Sequence, residues 1–302
     1  MTYSIVARDP DTGELGVAVQ SHWFSVGSIV TWAQPGVGAV ATQANAEAAY
    51  GPSALALLAD GVPAPDALAQ LVAADPGGPS RQVAVVDAHG RVGVHTGPKC
   101  IAYAGHITGE GVSCQANIMV SERVWPAMLD AFNASSGSLT SRLLDALDAA
   151  EREGGDVRGG QSAAILVVPG TGEPWRTVVS LRVEDHPEPL PELRRVVKLH
   201  EAYGLAGQAD ELLNAGRHDE AARLYVAASE CVPDNHELLF WAGLGTVQAG
   251  DLDGGVAKVE RAIALRPAWR ELLPRLPAEL APAAPAVLAR LAAGSWRPDP
   301  TR

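Results

Sequence analysis

The chain has 302 residues, enough for one large domain and a smaller one. Hydrophobic residues make up 47% and charged residues 19%, which excludes a disordered chain and leaves an ordinary globular protein. The formal net charge is −12, from 35 acidic against 23 basic residues, and this disfavours nucleic acid or an anionic membrane surface as a partner.

The opening segments Thr2–Asp9 and Leu15–Ser21 read as strands joined through Pro10-Asp11-Thr12-Gly13, a cluster suited to a tight hairpin turn. Ser28–Trp32 and Val37–Gln43 are expected to form a second hairpin through Gln34-Pro35-Gly36. Helical periodicity follows: Leu55, Leu57 and Leu58, then Ala67, Leu68, Leu71 and Val72 after Gly61, suit two short helices with one apolar face each. Strand character returns in Gln82–Val86, Arg91–His95, Cys100–Ala104 and Gly111–Ile118. Helices are predicted over Glu122–Asn133 and Leu139–Glu153, and strands over Ser162–Val168 and Thr177–Glu184.

Four strands, two helices, four strands, two helices and two strands form an α/β (α+β) pattern. Two sheets packed face to face with helices outside would cover every apolar face, a four-layer αββα sandwich. Val and Ala on both parities of the strands fit sheets covered on both sides. This block order resembles that of the N-terminal-nucleophile (Ntn) hydrolases, a fold analogy that does not by itself establish activity.

The first domain is expected over 1–185. A Pro-rich linker is expected over 186–193, because Pro187, Pro189 and Pro191 stiffen the chain and donate no backbone hydrogen bonds. Beyond it Ala215-Gly216 matches Ala249-Gly250, Asp219 matches Asp253, Ala228 matches Ala262 and Pro233 matches Pro267, each at an offset of 34 residues. That offset is the tetratricopeptide period and predicts an all-α helical-repeat domain over 194–294. Small residues at Ala209/Gly243 and Ala221/Gly255 let paired helices approach closely, and Leu272–Leu291 is expected to supply a capping helix. The tail 295–302 reads as frayed.

Cys100, Cys114 and Cys231 are odd in number and carry no CxxC spacing, which fits a reducing cytoplasm. Arg8 and Asp9 interrupt the chain before a signal-peptide core can form, and no 18-residue apolar stretch follows, so neither export nor membrane insertion is expected.

Thr2-Tyr3-Ser4-Ile5-Val6-Ala7-Arg8-Asp9, Gly16-Val17-Ala18-Val19 and Gly36-Val37-Gly38-Ala39-Val40-Ala41-Thr42-Gln43 begin a longer series of motifs. Tyr50-Gly51-Pro52, His95-Thr96-Gly97, Gln115-Ala116-Asn117, Gly154-Gly155-Asp156 and Arg158-Gly159-Gly160-Gln161-Ser162 continue it. From Met1 to about Glu184 the chain resembles the prokaryotic family catalogued as domain of unknown function 1028. The resemblance implies an Ntn-hydrolase fold, and only weakly a reaction.

In such hydrolases a Thr, Ser or Cys at the chain start attacks an amide carbonyl and its α-amine acts as base. Thr2 fits that role once Met1 is removed; otherwise it is a β-branched residue beginning an edge strand. By order along the fold, Ser21 and His22 end the strand beside the nucleophile, or are simply an exposed strand end. Gln43 and Asn45 fall where an oxyanion hole needs fixed donors, or form a turn before a helix. Asn117 either orients substrate or the α-amine, or caps the chain from Met119 onward. Arg8 or His22 would supply positive field in place of the lysine that proteasome-like enzymes use, since no lysine precedes Lys99. Asp156, Arg158, Gly160 and Gln161 lie in a glycine-rich loop that either approaches a ligand or holds a structural Asp–Arg pair.

The expectation is therefore a cofactor-independent, metal-free amidohydrolase acting on a small non-peptide, acyl-amino or ureido C–N bond. The competing expectation is a non-catalytic Ntn-fold scaffold whose helical repeats recruit a protein partner. A homodimer is compatible with either.

Overall fold

The computed structural model describes residues 2–294, so the fate of Met1 and the character of the tail at 295–302 lie outside the described residues. Two compact units divide the chain, Met1–Val196 and Val197–Arg302.

In the first unit β1 (Thr2–Arg8) and β2 (Leu15–Ser21) form an antiparallel hairpin that places Thr2 opposite Ser21 and Arg8 opposite Leu15. Its turn is tied by Asp9, whose Oδ1 accepts from the backbone N–H groups of Asp11 (2.9 Å) and Thr12 (3.0 Å), while Gly13 adopts φ +75°. A short helix α1 (Gly27–Val30) precedes β3 (Thr31–Gln34) and β4 (Gly38–Ala44). The strand expected over Ser28–Trp32 thus begins only at Thr31. A strand would put Ser28 on the same face as Val26 and Val30, whereas the helical turn buries both valines and leaves Ser28 exposed.

Helices α2 (Tyr50–Ala59) and α3 (Ala64–Ala74) follow, then β5 (Arg81–Asp87), β6 (Val92–Thr96), β7 (Gly105–Gly109) and β8 (Val112–Asn117). The expected strand at Cys100–Ala104 is instead a loop, and the strand lies at β7. In that loop the carbonyls of Ile101 and Tyr103 accept from the N–H groups of Ile118 (2.9 Å) and Met119 (3.0 Å), and both side chains are exposed. Helices α4 (Val124–Ala134) and α5 (Leu139–Arg152) and strands β9 (Ser162–Val168) and β10 (Val179–Val183) complete the expected order. Ser138 caps α5 by accepting from Ser141 N.

One sheet has six strands in the order β10-β9-β2-β1-β8-β7, and the other has four in the order β3-β4-β5-β6. All neighbours are antiparallel. Val6, Val17, Val19, Ala39, Ala41, Ala84, Val86 and Ala164 form the core between the sheets. On the outer face of the smaller sheet, Val40, Val83 and Val85 pack against Leu55, Leu58 and Leu68 of α2 and α3. Each such leucine contributes about 1.5–3 kcal/mol on full burial. Helices α4 and α5 cover the outer face of the larger sheet, where Leu143 and Leu139 lie against Gly16.

Helix α6 spans Pro189–Asn214, so the proline-rich stretch expected as a linker becomes helical from Pro189. Prolines are tolerated in a first helical turn, where their missing N–H would have no intrahelical partner. Arg194 is tied to Asp145 (2.7 Å) and Asp148 of α5, within the first unit.

The second unit is helical: α7 (His218–Cys231), α8 (His236–Gln248), α9 (Leu252–Leu265), α10 (Ala268–Leu272) and α11 (Ala284–Gly294). α7 and α9 begin and end 34 residues apart, each preceded by a turn glycine of positive φ, Gly216 (+74°) and Gly250 (+100°). Asn235 and Asp251 cap α8 and α9 through their side-chain oxygens. Phe240 stacks on Trp269 with ring centroids 4.4 Å apart, within a core that includes Val259, Leu273 and Val287. The single capping helix expected over Leu272–Leu291 is broken, because Pro274, Pro277 and Pro282 interrupt it and a regular helix resumes only at α11.

Candidate functional site

Along the central strands of both sheets the inward positions are apolar in the middle and polar at one end. Thr2 and Ser4 of β1, Ser21 of β2, Gln43 of β4, Gln82 of β5 and Gln115 and Asn117 of β8 are all buried there. Buried polar atoms must be paired, and these pair with one another. Gln82 Oε1 accepts from Gln43 Nε2 (2.7 Å) and Asn117 Nδ2 (2.9 Å), and its Nε2 donates to Thr96 Oγ1 and the carbonyl of Ala116, both at 2.9 Å. Ser4 Oγ donates to Gln43 Oε1 (2.7 Å) and accepts from Gln115 Nε2 (2.6 Å). The two sheets are thus stitched by side-chain amides beneath the start of β1.

Thr2 sits at the top of this network. Its strand is central, between β2 and β8, so the edge-strand reading of Thr2 is corrected. Its Oγ1 lies 3.0 Å from Ser21 Oγ, and its carbonyl accepts longer bonds, at 3.4 Å, from Gln43 Nε2 and Asn117 Nδ2. Both hydroxyls face a cavity of about 340 Å³ lined also by Trp23, Val26, Ile29, Val30, Gln43, Ala44, Asn45 and Ala46. The wall on one side is apolar and the floor is polar, the combination expected of a small-molecule site. Trp23 and the neighbouring Phe24 are 61% and 62% exposed on the loop after β2.

Backbone conformation concentrates at the same end. Among the described residues the non-glycine positions with positive φ are Ser25 (+56°), Ala44 (+68°) and Ile118 (+59°). Ala44 lines the cavity, Ser25 lies between its lining residues Trp23 and Val26, and Ile118 follows Asn117. Left-handed alanine and isoleucine are costly, and such residues cluster where a site over-determines the backbone.

The glycine-rich loop reaches the same strand end from the side. The fully buried Asp156 carboxylate accepts from His22 N (3.2 Å) and Arg158 N (2.9 Å), and it forms an ion pair with Arg158 at 3.3 Å. Gln161 N donates to the Ser21 carbonyl (3.1 Å). The loop thus holds the structural Asp–Arg pair, and it also braces the strand end beside Thr2 and Ser21.

The structure brings together Thr2, Ser21, His22, Gln43, Asn45, Asn117, Asp156, Arg158 and Gln161. Gly160 lies against Gln20 and Pro189, on the other face of the sheet. Arg8 ends β1, six residues or roughly 20 Å along the strand from Thr2, and is not part of the cavity. The N–H of Asn45 donates to the Ser80 carbonyl (3.2 Å), and its exposed side chain lines the cavity. Asn117 caps no helix, since α4 begins at Val124; its Nδ2 is in the network and its buried Oδ1 has no partner among the described residues.

Ser4, Gln82 and Gln115 were not anticipated as site residues, and neither was Trp23, whose place on the loop after β2 leaves no strand signal. The available signal was parity, because polar residues on the inward phase of otherwise apolar strands point to a buried network. Among the described residues no group of three or more His, Cys, Asp or Glu side chains is arranged to hold a metal ion, and no helix is long and apolar enough to cross a membrane.

Two packed sheets with helices in the first part and a helical second part make this a mixed α/β protein with an α-helical extension. The family model described as a family of unknown function, DUF1028, matches residues 2–193, and the chain belongs to that family. It is similar to the crystal structure of a protein from Silicibacter pomeroyi of the same family, with 33% identity over 65% of this chain and 84% of that chain and a TM-score of 0.60. No match is found among curated proteins.

Proposed function

We propose that the first unit is an Ntn-type amidohydrolase in which Thr2, freed by removal of Met1, cleaves a small non-peptide amide, acyl-amino or ureido C–N bond. The observation that carries this reading is the placement of Thr2 at the start of a central strand, its hydroxyl paired with Ser21 on the floor of a cavity of about 340 Å³. The layering of helices, sheet, sheet and helices supports the Ntn assignment, as does the resemblance of the opening motifs.

The α-amine released at Thr2, with a pKa near ~7.7–8.0, is partly neutral at pH 7 and takes the hydroxyl proton as Oγ1 attacks the carbonyl carbon. The unpartnered Oδ1 of Asn117, directly across the β1–β8 register from Thr2, is an acceptor suited to the resulting ammonium. The Asn45 amide is a donor for the oxyanion. The C–N bond then breaks, the amine leaves with the proton, and water hydrolyses the threonyl ester. Among the described residues no lysine lines this cavity, so base catalysis falls to the α-amine.

Intact-mass measurement and a panel of amides, ureides and lactams test the proposal. A chain processed to Thr2 that turns over a member of the panel, and loses that activity in Thr2→Ala, supports it. A chain that keeps Met1 and is unaffected by Thr2→Ala refutes it.

The second unit is read as tetratricopeptide-like, supported by the 34-residue offset of α7 and α9 and of their turn glycines. Its proposed role is to recruit a protein partner.

A further inference from the structure

The floor and the wall of the cavity at Thr2 come from different elements. Thr2, Ser21 and Gln43, at strand ends, supply the polar floor, while Val26, Ile29 and Val30, in and just before α1, supply an apolar wall with Trp23 at its edge. Among the described residues none that lines the cavity carries a charged side chain. Arg81 reaches the rim at Asn45 but is already committed, its Nη1 donating to the Asn45 carbonyl (2.6 Å) and its Nε to Asp75 (2.8 Å).

The wall is set in place by the sheets. Gly27 lies so close to β9 that a Cβ would stand 2.3 Å from Ala164 Cβ, Val26 N donates to Ser162 Oγ (3.1 Å), and Trp32 Nε1 donates to the Ile29 carbonyl (2.8 Å). The Trp23 carbonyl accepts from the Ser162 hydroxyl, yet its indole is left exposed. An apolar face fixed before binding gains the full transfer free energy of a ligand that covers it, with little ordering cost. Taking a water's share of about 30 Å³ for each non-hydrogen atom, the cavity of about 340 Å³ admits on the order of ten of them.

The order of bond making and breaking decides which half of an amide lies on that wall. As Thr2 Oγ1 bonds to the carbonyl carbon and the C–N bond breaks, the amine takes the proton and leaves, while the acyl half stays esterified to Oγ1 until water releases it. The exposed rim at Asn45 and Ala46 suits the departing amine, so the enclosed α1 side receives the acyl half.

We propose, resting on the Thr2-hydrolase reading above, that the substrate is an amide whose acyl group is uncharged, apolar and about four to eight carbons long, selected by Trp23, Val26, Ile29 and Val30. A carboxylate on that chain is rejected twice. It is desolvated among aliphatic side chains with no cation to pair it, and it holds the Thr2 α-amine in its protonated form, which cannot act as base.

Acetyl-, butyryl-, hexanoyl- and succinyl-p-nitroanilide are the probes for turnover, with intact mass reporting whether Met1 has left. From acetyl to hexanoyl, kcat/KM is expected to rise about fourfold per methylene, and succinyl should run about a hundredfold or more behind butyryl. Ile29→Ala and Trp23→Ala should each lower the hexanoyl-to-acetyl ratio about threefold or more, and Ile29→Lys should raise the succinyl-to-hexanoyl ratio. Binding is read separately in Thr2→Ala by solution NMR of the Ile29 methyls, where hexanamide should bind about tenfold or more tighter than acetamide. A chain that hydrolyses the series without regard to acyl length, or takes succinyl as fast as butyryl, overturns the acyl selection and leaves Thr2 catalysis standing. A chain inactive on all four whose Ile29 still prefers hexanamide refutes the hydrolase reading and upholds the apolar acyl site. Equal binding of the two amides, or Ile29 methyls that respond to neither, overturns the site itself.

Discussion

Thr2 Oγ1 and Ser21 Oγ lie 3.0 Å apart, at the register position where β1 and β2 pair those two residues. Both hydroxyls are buried, and in the proposed mechanism Ser21 orients the Thr2 hydroxyl for attack. Ser21→Ala should lower kcat/KM on a turned-over amide on the order of tenfold, the loss of one hydrogen bond of about 1–1.5 kcal/mol. KM should change little, and Thr2→Ser should keep most of the activity. Steady-state kinetics decide it: a Ser21→Ala enzyme as fast as the parent removes Ser21 from the mechanism.

Gln82 is the hub of the inter-sheet network, and its replacement leaves several partners stranded. In Gln82→Leu the Nε2 of Gln43 and the Nδ2 of Asn117 lose their short bonds, and the carbonyl of Ala116 loses its side-chain donor. Each newly unmet buried group costs about 1–3 kcal/mol, so a total loss of about 2–5 kcal/mol is expected after local adjustment. Urea unfolding should show a lower midpoint with an unchanged slope. An unaltered midpoint would mean that water enters the network and that the sheets do not depend on it.

Acid sensitivity should centre on the turn aspartates. The buried Asp87 carboxylate accepts from the N–H groups of Ala64 (3.1 Å), His89 (2.9 Å) and Arg91 (3.0 Å) and from Arg91 Nε (2.7 Å). Burial raises its pKa, but these bonds outweigh that and hold it below its ordinary value. Asp9 is lowered likewise: burial opposes, and the N–H groups of Thr12 and Asp11 prevail. A carboxylate with a depressed folded pKa stabilises the fold fully above its unfolded pKa, near ~3.9, and that contribution disappears as pH falls through the folded value. Thermal melts should therefore be flat for this pair between neutral pH and about pH 5 and fall below about pH 4. Asp87→Asn should cost about 1–3 kcal/mol at neutral pH, with the gap to the parent narrowing in acid. A gap of constant size down to pH 3 would contradict the assignment.

The strand–helix order was legible where an element carries a clear signal: Leu139–Arg152 shows the helical period over fourteen residues, and Ser162–Val168 is a short β-branched apolar run of strand length. Misreadings came where apolar residues do something other than pack on a face. Ile101 and Tyr103 look like strand residues but are exposed in a loop held by its carbonyls, and Val26 and Val30 meet the core from a helical turn. The prolines after Asp185 were read as a break, although the same residue type opens a helix when it falls in the first turn. Within the site, Thr2, Ser21, Gln43 and Asn117 could be chosen from strand ends alone. Gln82 also begins a predicted strand and is polar on its inward phase, but its role as the hub comes from pairing across two sheets, which leaves no spacing in the chain. Arg8 was drawn in by its charge and excluded by the length of its own strand.

Two glycines of the helical unit give a test with opposite signs. Gly255 of α9 faces α8 so closely that a Cβ would stand 2.4 Å from Val247 Cγ2, 2.5 Å from the Gly243 carbonyl oxygen and 2.8 Å from Val247 N. The valine methyl can move, but the backbone oxygen and nitrogen of a packed helix cannot without separating the pair. Alanine gains about 1 kcal/mol over glycine in helix propensity, while such overpacking costs about 1–3 kcal/mol, so Gly255→Ala should destabilise the unit or at best break even. Gly207 of α6 has nothing within 4 Å of its would-be Cβ. There the propensity gain stands alone, and Gly207→Ala should stabilise the helical unit by about 0.5–1 kcal/mol. Urea unfolding followed by far-ultraviolet circular dichroism compares the two. If both substitutions stabilise, the close approach of α8 and α9 at Gly243 and Gly255 is not a constraint on that unit; if Gly255→Ala alone destabilises, the contact that the sequence offset singled out is one the fold requires.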